Sequence, residues 1–151
     1  MELLPSQVRK IILDEHFIIR RIFAELDTLV QTAETDLAGT PISALLDKIS
    51  EFTGFFLKHI ALEERILRPA LKNIDAWGDV RVDQMDQEHQ EQRAEIAALS
   101  ARLEKGLTPE LVKDIRAFIN EIRQDVSSEE RDCLNPDVLK DDIISVDTSC
   151  G

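Results

Sequence analysis

The sequence predicts an all-α protein, an antiparallel four-helix bundle with up-down-up-down topology. Three observations lead to this fold class. Apolar residues recur at intervals of three and four along four long segments, which is the period of an α-helix. Short connections with glycine or proline separate the segments, and short connections favour antiparallel neighbours. No segment alternates between apolar and polar residues as a half-buried strand does.

Capping residues define the first two predicted helices. The first helix is expected over residues 6–34, with Ser6 as its N-cap, because serine accepts hydrogen bonds from free backbone amides. The second is expected over residues 40–68, with Thr40 as N-cap and a proline in the first turn. Pro69 should then end it, because proline disfavours a continuing helix.

The third and fourth predicted helices have similar punctuation. The third is expected over residues 79–105, ended by Gly106. The fourth starts at Thr108 and Pro109, a second threonine–proline pair, and reaches about residue 134. Long helices joined by such short connections favour an antiparallel bundle.

We predict one domain over residues 1–136 and a C-terminal tail over residues 137–151. A chain of 151 residues is long enough to bury a core without disulfide or metal staples. The tail is expected to be partly docked and partly mobile, with Ile143, Ile144 and Val146 as the residues that could pack on the bundle.

Composition narrows the classes of partner and the location. The formal net charge of −12 disfavours nucleic acid and anionic membranes as partners. The first residues, MELLPSQ, lack the features of a signal peptide, and no apolar run is long enough for a membrane span. Cys133 and Cys150 form no disulfide framework and no zinc motif. We therefore expect a cytoplasmic protein.

Polar residues interrupt the apolar seams of all four predicted helices. The six seam positions concerned are His16, His59, Glu63, His89, Asp125 and Glu129. They include every histidine of the chain, one on each of three helices. Burying ionisable groups is costly unless they pair or bind metal, so imidazoles and carboxylates that converge from four helices predict a metal site.

The spacing of these residues repeats along the chain. His59 and Glu63 lie four residues apart, and so do Asp125 and Glu129, which places each pair on one helix face. The surrounding stretches, HIALEER and DVSSEER, resemble each other. H-x3-R also occurs twice, as His16 with Arg20 and as His89 with Arg93. The sequence therefore predicts two copies of one helical hairpin around a pseudo-twofold site.

With these motifs the chain resembles the hemerythrin-like domains of the HHE cation-binding family, over about residues 8–136. The order of the ligands, with the H-x3-E motif and its altered copy, carries the resemblance. It implies two non-haem iron ions, with manganese or zinc as alternatives, joined by an oxo, hydroxo or water bridge. It further implies that Glu63 and Glu129 bridge the metals.

The resemblance also implies which metal each remaining residue would bind. His16 and His59 would be terminal ligands of one iron, and His89 of the other. Two departures from the family matter. Arg93 stands where oxygen-carrying hemerythrins have a second histidine, and Asp125 stands where a histidine is usual. Harder oxygen ligands stabilise ferric iron and widen the choice of metal.

The ligand set leads to three hypotheses about function. The first is a dimetal protein that reacts with or senses dioxygen, peroxide or iron, with peroxide- or ferroxidase-like enzymatic activity left open, rather than a reversible oxygen carrier. The second is a metal-responsive regulatory module without turnover, and the third is a metal-free structural bundle. We expect small molecules as partners; a protein partner or a homo-oligomer is left open.

Expectations for the neighbouring residues complete the prediction. Arg20 and Arg93 are expected near the site, and in a metal-free bundle they would pair with Glu63, Glu129 or Asp125. Glu64 and Glu130 should be solvated, because adjacent helix residues do not share a face. Trp77 is expected to cap one end of the bundle.

Overall fold

The computed structural model describes residues 2–141, and within that range it is entirely helical apart from the connections. The helices are α1 (Pro5–Thr35), α2 (Ile42–Leu62), a π-helical turn (Glu63–Leu67), α3 (Arg68–Lys72), α4 (Gly78–Glu104) and α5 (Pro109–Asp132). The backbone stays helical through the π turn, so α2 and α3 form one continuous rod. The predicted all-α four-helix bundle is confirmed.

The four rods form a closed ring of neighbours. Helix α1 packs extensively on α2 and on α5, whereas α4 makes fewer contacts with α2 and α5. Each side chain buried along the seams contributes about 1.5–3 kcal/mol when it is a large aliphatic or aromatic residue. The second rod contacts α4 mainly through α3 and less through α2.

Two predicted helix boundaries are confirmed by their hydrogen bonds and backbone angles. The Thr108 hydroxyl accepts from the Leu111 amide at 3.1 Å, which caps α5. Gly106 follows α4 with φ of +112°, a conformation that L side chains rarely adopt. Both ends of the α4–α5 connection are therefore determined by local sequence.

The predicted N-caps of the first two helices were wrong. Leu4, not Ser6, occupies the N-cap of α1, and the Ser6 amide instead donates to Asp141 at 2.8 Å. The Thr40 hydroxyl donates to the Asp36 carbonyl at 2.8 Å, and α2 begins only at Ile42. In each case the hydroxyl donates to an acceptor outside the helix, Asp141 for Ser6 and Asp36 for Thr40, instead of capping the helix terminus.

Pro69 does not end the second rod, contrary to the prediction. A proline in a continuous α-helix clashes with the carbonyl four residues earlier. The π turn, in which the Arg68 amide donates to the Glu63 carbonyl five residues back, is wider than an α turn and relieves that constraint. Pro69 therefore lies in the first turn of α3.

The core consists of two apolar layers. The larger contains the phenylalanines Phe23, Phe52, Phe56 and Phe118 with their aliphatic neighbours. The smaller surrounds Val8, Ile12, Leu67, Leu71, Met85, Leu134 and Leu139. On α1 the larger layer starts at Ile19 and the smaller ends at Ile12, so His16 lies between them. The polar seam residues thus occupy a belt between two dry layers.

Two residues outside the long helices, Leu139 and Trp77, differ strongly in burial. Leu139 is buried in the smaller layer, and Arg9 Nη1 donates to its carbonyl at 3.1 Å. Trp77 is 65% exposed, so the prediction that it caps the bundle was wrong. Ile143, Ile144 and Val146 lie outside the described residues, and the domain boundary at residue 136 stays a prediction. No helix within residues 2–141 is long and apolar enough to cross a bilayer.

Candidate metal centre

Four of the six polar seam residues converge into one compact cluster. One ligand atom from each of His16, His59, Glu63 and Glu129 lies within 4.8 Å of the other three. His16 Nε2 is 3.0 Å from Glu129 Oε1, and His59 Nε2 is 3.4 Å from Glu63 Oε1. Two imidazoles and two carboxylates at such distances are a suitable donor set for a divalent or trivalent cation.

His89 joins this cluster through Glu63. Its Nε2 lies 3.1 Å from Glu63 Oε1, the same oxygen that His59 Nε2 approaches. His89 is 3% exposed, so its ring is as well buried as those of the other histidines. Glu63 is therefore in contact with an imidazole from α2 and one from α4, as a carboxylate between two metal positions would be.

Asp125 lies outside the compact cluster and is hydrogen-bonded to a neighbouring glutamine. Its Oδ2 accepts a hydrogen bond from Gln92 Nε2 at 2.9 Å, and its side chain is half-buried. It lines the same small cavity as the compact cluster, together with Glu88, but it is not one of the four converging groups. Binding to a metal would require Asp125 to exchange Gln92 for that metal.

Unsatisfied buried atoms mark where a cation fits. Among the described side chains, His16 Nε2, Glu63 Oε2 and Glu129 Oε1 are buried without a partner in hydrogen-bonding geometry. An unpaired buried polar atom costs about 1–3 kcal/mol. A cation bound among them would satisfy all three, so the residues present fit the metal that the donor set implies.

A carboxylate contacts the Nδ1 atom of each histidine, on the side away from the cluster. The pairs are His16 with Glu130 at 2.8 Å, His59 with Glu15 at 2.7 Å and His89 with Glu64 at 3.0 Å. A carboxylate at Nδ1 keeps the proton there and leaves Nε2 as a lone-pair donor that points inward. The outer carboxylates thus select the tautomer that can bind metal.

Two arginines complete this outer layer. Arg20 donates to both oxygens of Glu130 at 2.7 and 3.0 Å, and Arg93 donates to both oxygens of Glu64 at 2.7 Å. Neither arginine pairs with an inner carboxylate. The Arg93 hydrogen bonds lower the pKa of Glu64 to about 2. Both outer carboxylates are therefore fixed as anions behind their histidines.

Comparison with known families agrees with this geometry. The family model of the hemerythrin HHE cation binding domain matches residues 7–135 of the chain. The chain belongs to this family. No curated protein and no solved structure gave a significant match. The match spans α1 to α5, so every residue of the cluster lies within the HHE domain.

The two halves of this HHE domain are related by a pseudo-twofold arrangement of contacts. In one half, His16 and Arg20 of α1 share Glu130 of α5. In the other, His89 and Arg93 of α4 share Glu64 of the π turn. The hairpin repeat predicted from sequence therefore corresponds to repeated contacts, in which each half supplies the outer carboxylate of the other.

The symmetry is broken at one pair. Glu15 precedes His16 and contacts His59, and Glu88 precedes His89 in the same way. The residue that corresponds to His59 is Asp125, which has no imidazole proton to donate to Glu88. The side of the HHE cluster towards α4 and α5 is consequently richer in carboxylates than the side towards α1 and α2.

The protonation of the inner residues follows from their burial. Burial raises the pKa of Glu63 well above its usual range, and the adjacent Glu129 carboxylate raises it further. Burial also opposes ionisation of Glu129, but the adjacent Glu63 and His16 side chains outweigh it and lower the pKa of Glu129 to about 2. Of these two carboxyl groups, Glu63 is therefore the one that is protonated and Glu129 the one that is ionised.

Two of the histidines are held neutral. Burial lowers the pKa of His59 and of His89, and for both residues it outweighs the attraction of the nearby carboxylates. A neutral imidazole offers a lone pair to a metal, whereas an imidazolium does not. In the HHE domain, Glu63 is the group that must lose a proton when a cation binds.

Sequence reasoning missed the outer carboxylates. Glu64 and Glu130 were expected to be solvated, and this expectation was wrong, because both contact buried histidines on a neighbouring helix. The contact of Glu15 with His59 across α1 and α2 was not predicted either. The Glu-Glu-Arg motif, which occurs twice in the chain, was the available signal, because metal-binding histidines commonly have a carboxylate as hydrogen-bond partner.

Replacing an outer carboxylate is expected to weaken metal binding without removing a ligand. Glu130→Gln and Glu64→Gln should each lower metal affinity about 10- to 100-fold, because the histidine behind each loses its orienting anion. Titration with ferrous or manganous ion would measure this. Glu104→Gln, which alters an exposed carboxylate at the far end of α4, is the control and should bind as the parent does. Equal affinity in all three variants would contradict the role assigned to these carboxylates.

Proposed function

We propose that this HHE domain binds two non-haem iron ions and reacts with or senses dioxygen, peroxide or iron, rather than carrying dioxygen reversibly. His16 and His59 would hold one ion, and His89 and Asp125 the other, with Glu63 and Glu129 shared. The compact buried cluster of two histidines and two glutamates is the observation that carries the proposal. Bound there, the ions would supply the redox chemistry of dioxygen and peroxide.

The donor set argues against reversible oxygen carriage. Arg93 stands at the position of a further histidine in oxygen carriers. Its guanidinium donates to both oxygens of Glu64 and has no lone pair to offer a metal. Asp125 replaces another histidine with a carboxylate. Because carboxylates favour the ferric state, such a site is better suited to be oxidised than to release dioxygen unchanged.

Access to solvent supports the same distinction. The cavity at the cluster, of about 10 Å³, is lined on one side by Glu88, Gln92 and Asp125, of which Glu88 is exposed and Asp125 half-buried. Polar molecules and cations can reach such a site between α4 and α5. A reversible carrier would need to exclude water and protons from the same position.

A second candidate is a metal-responsive module without turnover. Residues from α1, α2, the π turn, α4 and α5 all contribute to the cluster, so a bound metal would tie four rods together. A ligand that binds only the folded state stabilises it in proportion to its occupancy. This function predicts stabilisation by iron but no consumption of peroxide or dioxygen.

The contacts of the arginines disfavour the metal-free structural bundle. That hypothesis expects Arg20 or Arg93 to neutralise Glu63, Glu129 or Asp125. Both arginines instead pair with Glu130 and Glu64, so the inner carboxylates keep no basic side-chain partner except histidine among the described residues. A cation bound at the centre would stabilise these buried carboxylates, which have no arginine or lysine from the described range beside them.

Metal analysis and absorption spectroscopy of the purified protein test the proposal. We expect about two irons per chain after anaerobic loading with ferrous ion, and a near-ultraviolet band that appears on exposure to dioxygen or peroxide. Peroxide consumption then separates the reactive protein from the metal-responsive module. Absence of bound metal after loading would exclude both and leave the structural bundle.

A further inference from the structure

The inner atoms of the compact cluster are available to a cation in the metal-free protein. His16 Nε2, Glu63 Oε2 and Glu129 Oε1 are buried without a hydrogen-bond partner in the described chain. These residues and His59 each place one ligand atom within 4.8 Å of the others. An unpaired buried polar atom is unfavourable until it gains a partner. A first ion bound here would therefore satisfy three atoms that have no other partner.

The residues that would hold a second ion are instead bound to neighbours. Asp125 Oδ2 accepts a hydrogen bond from Gln92 Nε2 at 2.9 Å, and His89 Nε2 lies 3.1 Å from Glu63 Oε1. Neither Asp125 nor His89 is among the described side chains that have an unpaired buried atom. A second ion must therefore displace existing contacts before it can bind.

Gln92 lies where it can control Asp125. Its side chain is 7% exposed, lines the cavity at the cluster and follows His89 by three residues on α4. Residues three apart share a helix face, so the Gln92 amide lies on the same face of α4 as the His89 ring. Within residues 2–141, the hydrogen bond of this buried amide goes to Asp125. One Asp125 oxygen is consequently occupied while the second metal position is empty.

This hydrogen bond has no counterpart in the other half of the pseudo-twofold arrangement. Asp125 corresponds to His59 in the repeated motif, and Gln92 corresponds to Ile19, which follows the first histidine by three residues. Ile19 is 0% exposed, and an isoleucine side chain donates no hydrogen bond. The half that contains Asp125 therefore has an amide donor beside its ligand, and the half that contains His59 does not.

We propose that the Gln92–Asp125 hydrogen bond is a latch that makes the two metal positions fill in sequence. The position of His16 and His59 fills first, and the position of His89 and Asp125 fills second. Gln92 is thus a positioning residue, which acts through Asp125 and binds no metal itself. The inference rests on the proposed two-metal function. Because a hydrogen bond to a charged group changes an equilibrium by about 10- to 100-fold, the second ion should bind at least about tenfold more weakly than the first.

The latch sets the metal concentration at which the domain passes from one ion to two. At low free metal only the first position fills, and at higher free metal the second ion displaces the Gln92 amide from Asp125. Repulsion between two cations also weakens the second step in any dimetal site. The contribution of the latch is therefore isolated by changing Gln92, which carries no charge.

Replacing the amide should change one affinity and not the other. In Gln92→Leu, the affinity for the second ferrous ion, measured by anaerobic titration calorimetry, should rise about tenfold, because Asp125 then has no amide to release. The affinity for the first ion should stay as in the parent. Gln92→Ile copies the residue of the other half and should act in the same way, which guards against misfolding of one variant. Gln90→Leu, at an exposed position next to His89, is the matched control and should change neither affinity.

The side-chain amide of Gln92 reports on the latch directly. Zinc is the probe for this measurement, because it has a filled d shell and no redox chemistry. In a titration of the metal-free parent with zinc, the larger shift of the Gln92 amide resonances should come between one and two ions per chain, as the amide leaves Asp125. A shift that is complete at one ion per chain would overturn the sequence of filling.

The remaining outcomes separate failure of the latch from failure of the proposed function. Two ions of equal affinity in the parent, or a second ion that binds Gln92→Leu no more tightly, would overturn the latch alone. Weaker binding of the second ion in that variant would also overturn it, because Gln92 would then assist Asp125 in binding. Saturation at one ion per chain in parent and variants would overturn the latch and the two-ion centre, and a protein that binds no ion would overturn the whole metal function.

Discussion

Glu63→Gln is expected to abolish binding of both metal ions and, at the same time, to stabilise the metal-free protein. Glu63 lies in contact with His59 and His89, and in the proposed function it is the carboxylate that two metal positions would share. Glutamine cannot supply an anionic bridge. Affinity for ferrous ion should fall by more than about 100-fold, the upper range for loss of even an indirect ligand partner.

The gain in stability follows from the protonation of Glu63. Burial raises its pKa in the folded state above that of the unfolded chain. Its contribution to stability is therefore fully present below the unfolded pKa, about 4.5, and is lost as the pH rises through the folded pKa. At neutral pH the metal-free protein must keep this proton or bury a second charge beside Glu129, and glutamine removes both requirements.

Thermal unfolding of the metal-free proteins across pH measures this effect. The Tm of Glu63→Gln should exceed that of the parent by about 2–8 °C at pH 7, which corresponds to about 1–2 kcal/mol in a domain of this size. The difference should shrink as the pH falls below 4.5, where Glu63 becomes protonated in both states. His59 and His89 have lowered pKa values, so their contribution is lost as the pH falls below about 6.5.

Because both histidines contact Glu63, the two proteins are compared at pH 7 and above, where these imidazoles are mostly neutral in the folded and the unfolded state. A variant that is less stable than the parent at pH 7 without metal would show that the buried Glu63 carboxyl stabilises the fold, contrary to its raised pKa. Retention of two metals per chain by Glu63→Gln would show that this carboxylate is not shared between them.

Iron loading is expected to raise the Tm of the parent substantially, and His59→Gln should remove that increase. Metal bound only by the folded state stabilises it by about 2.7 kcal/mol at a hundredfold excess over the dissociation constant. For a domain of this size the corresponding rise in Tm is about 5–11 °C. His59 is 2% exposed and supplies one of the four converging atoms, so glutamine in its place leaves the first metal position incomplete.

Lys58→Gln is the matched control for this measurement. Lys58 is exposed and adjacent to His59 on the same helix, so its replacement changes the helix locally but not the cluster. It should keep both the metal content and the increase in Tm. Equal increases in the His59 and Lys58 variants would mean that iron stabilises the protein from outside the cluster.

Local sequence determined the helices and the choice of side chains for the metal site. The period of the apolar residues places four seams, and all three histidines interrupt them, so a polar belt in a bundle follows before any contact is known. Buried His16, His59, Glu63 and His89 lie in that belt. Thr108 caps a helix through a residue three positions away, and Gly106 ends one through its own backbone angles. Local sequence is sufficient to predict both roles, which are confirmed.

Predictions from local sequence were wrong where a hydrogen bond to a distant segment or an irregular turn determines the structure. Ser6 donates to Asp141, far along the chain, instead of capping α1. After the π turn at Glu63 the buried seam continues at Leu67 and Leu71, and the period of the apolar residues does not reveal such a turn in advance. Pro69 continues the rod only because that turn precedes it.

The sequence by itself determined that imidazoles and carboxylates meet inside a helical bundle, because spacing along a helix dictates which face a residue occupies. Only the tertiary structure decided which groups face each other across helices. It paired each histidine with an outer carboxylate, engaged Arg20 and Arg93 outside the centre, and left Asp125 bound to Gln92. Those choices depend on rotation and height between packed helices, which spacing within a single helix does not specify.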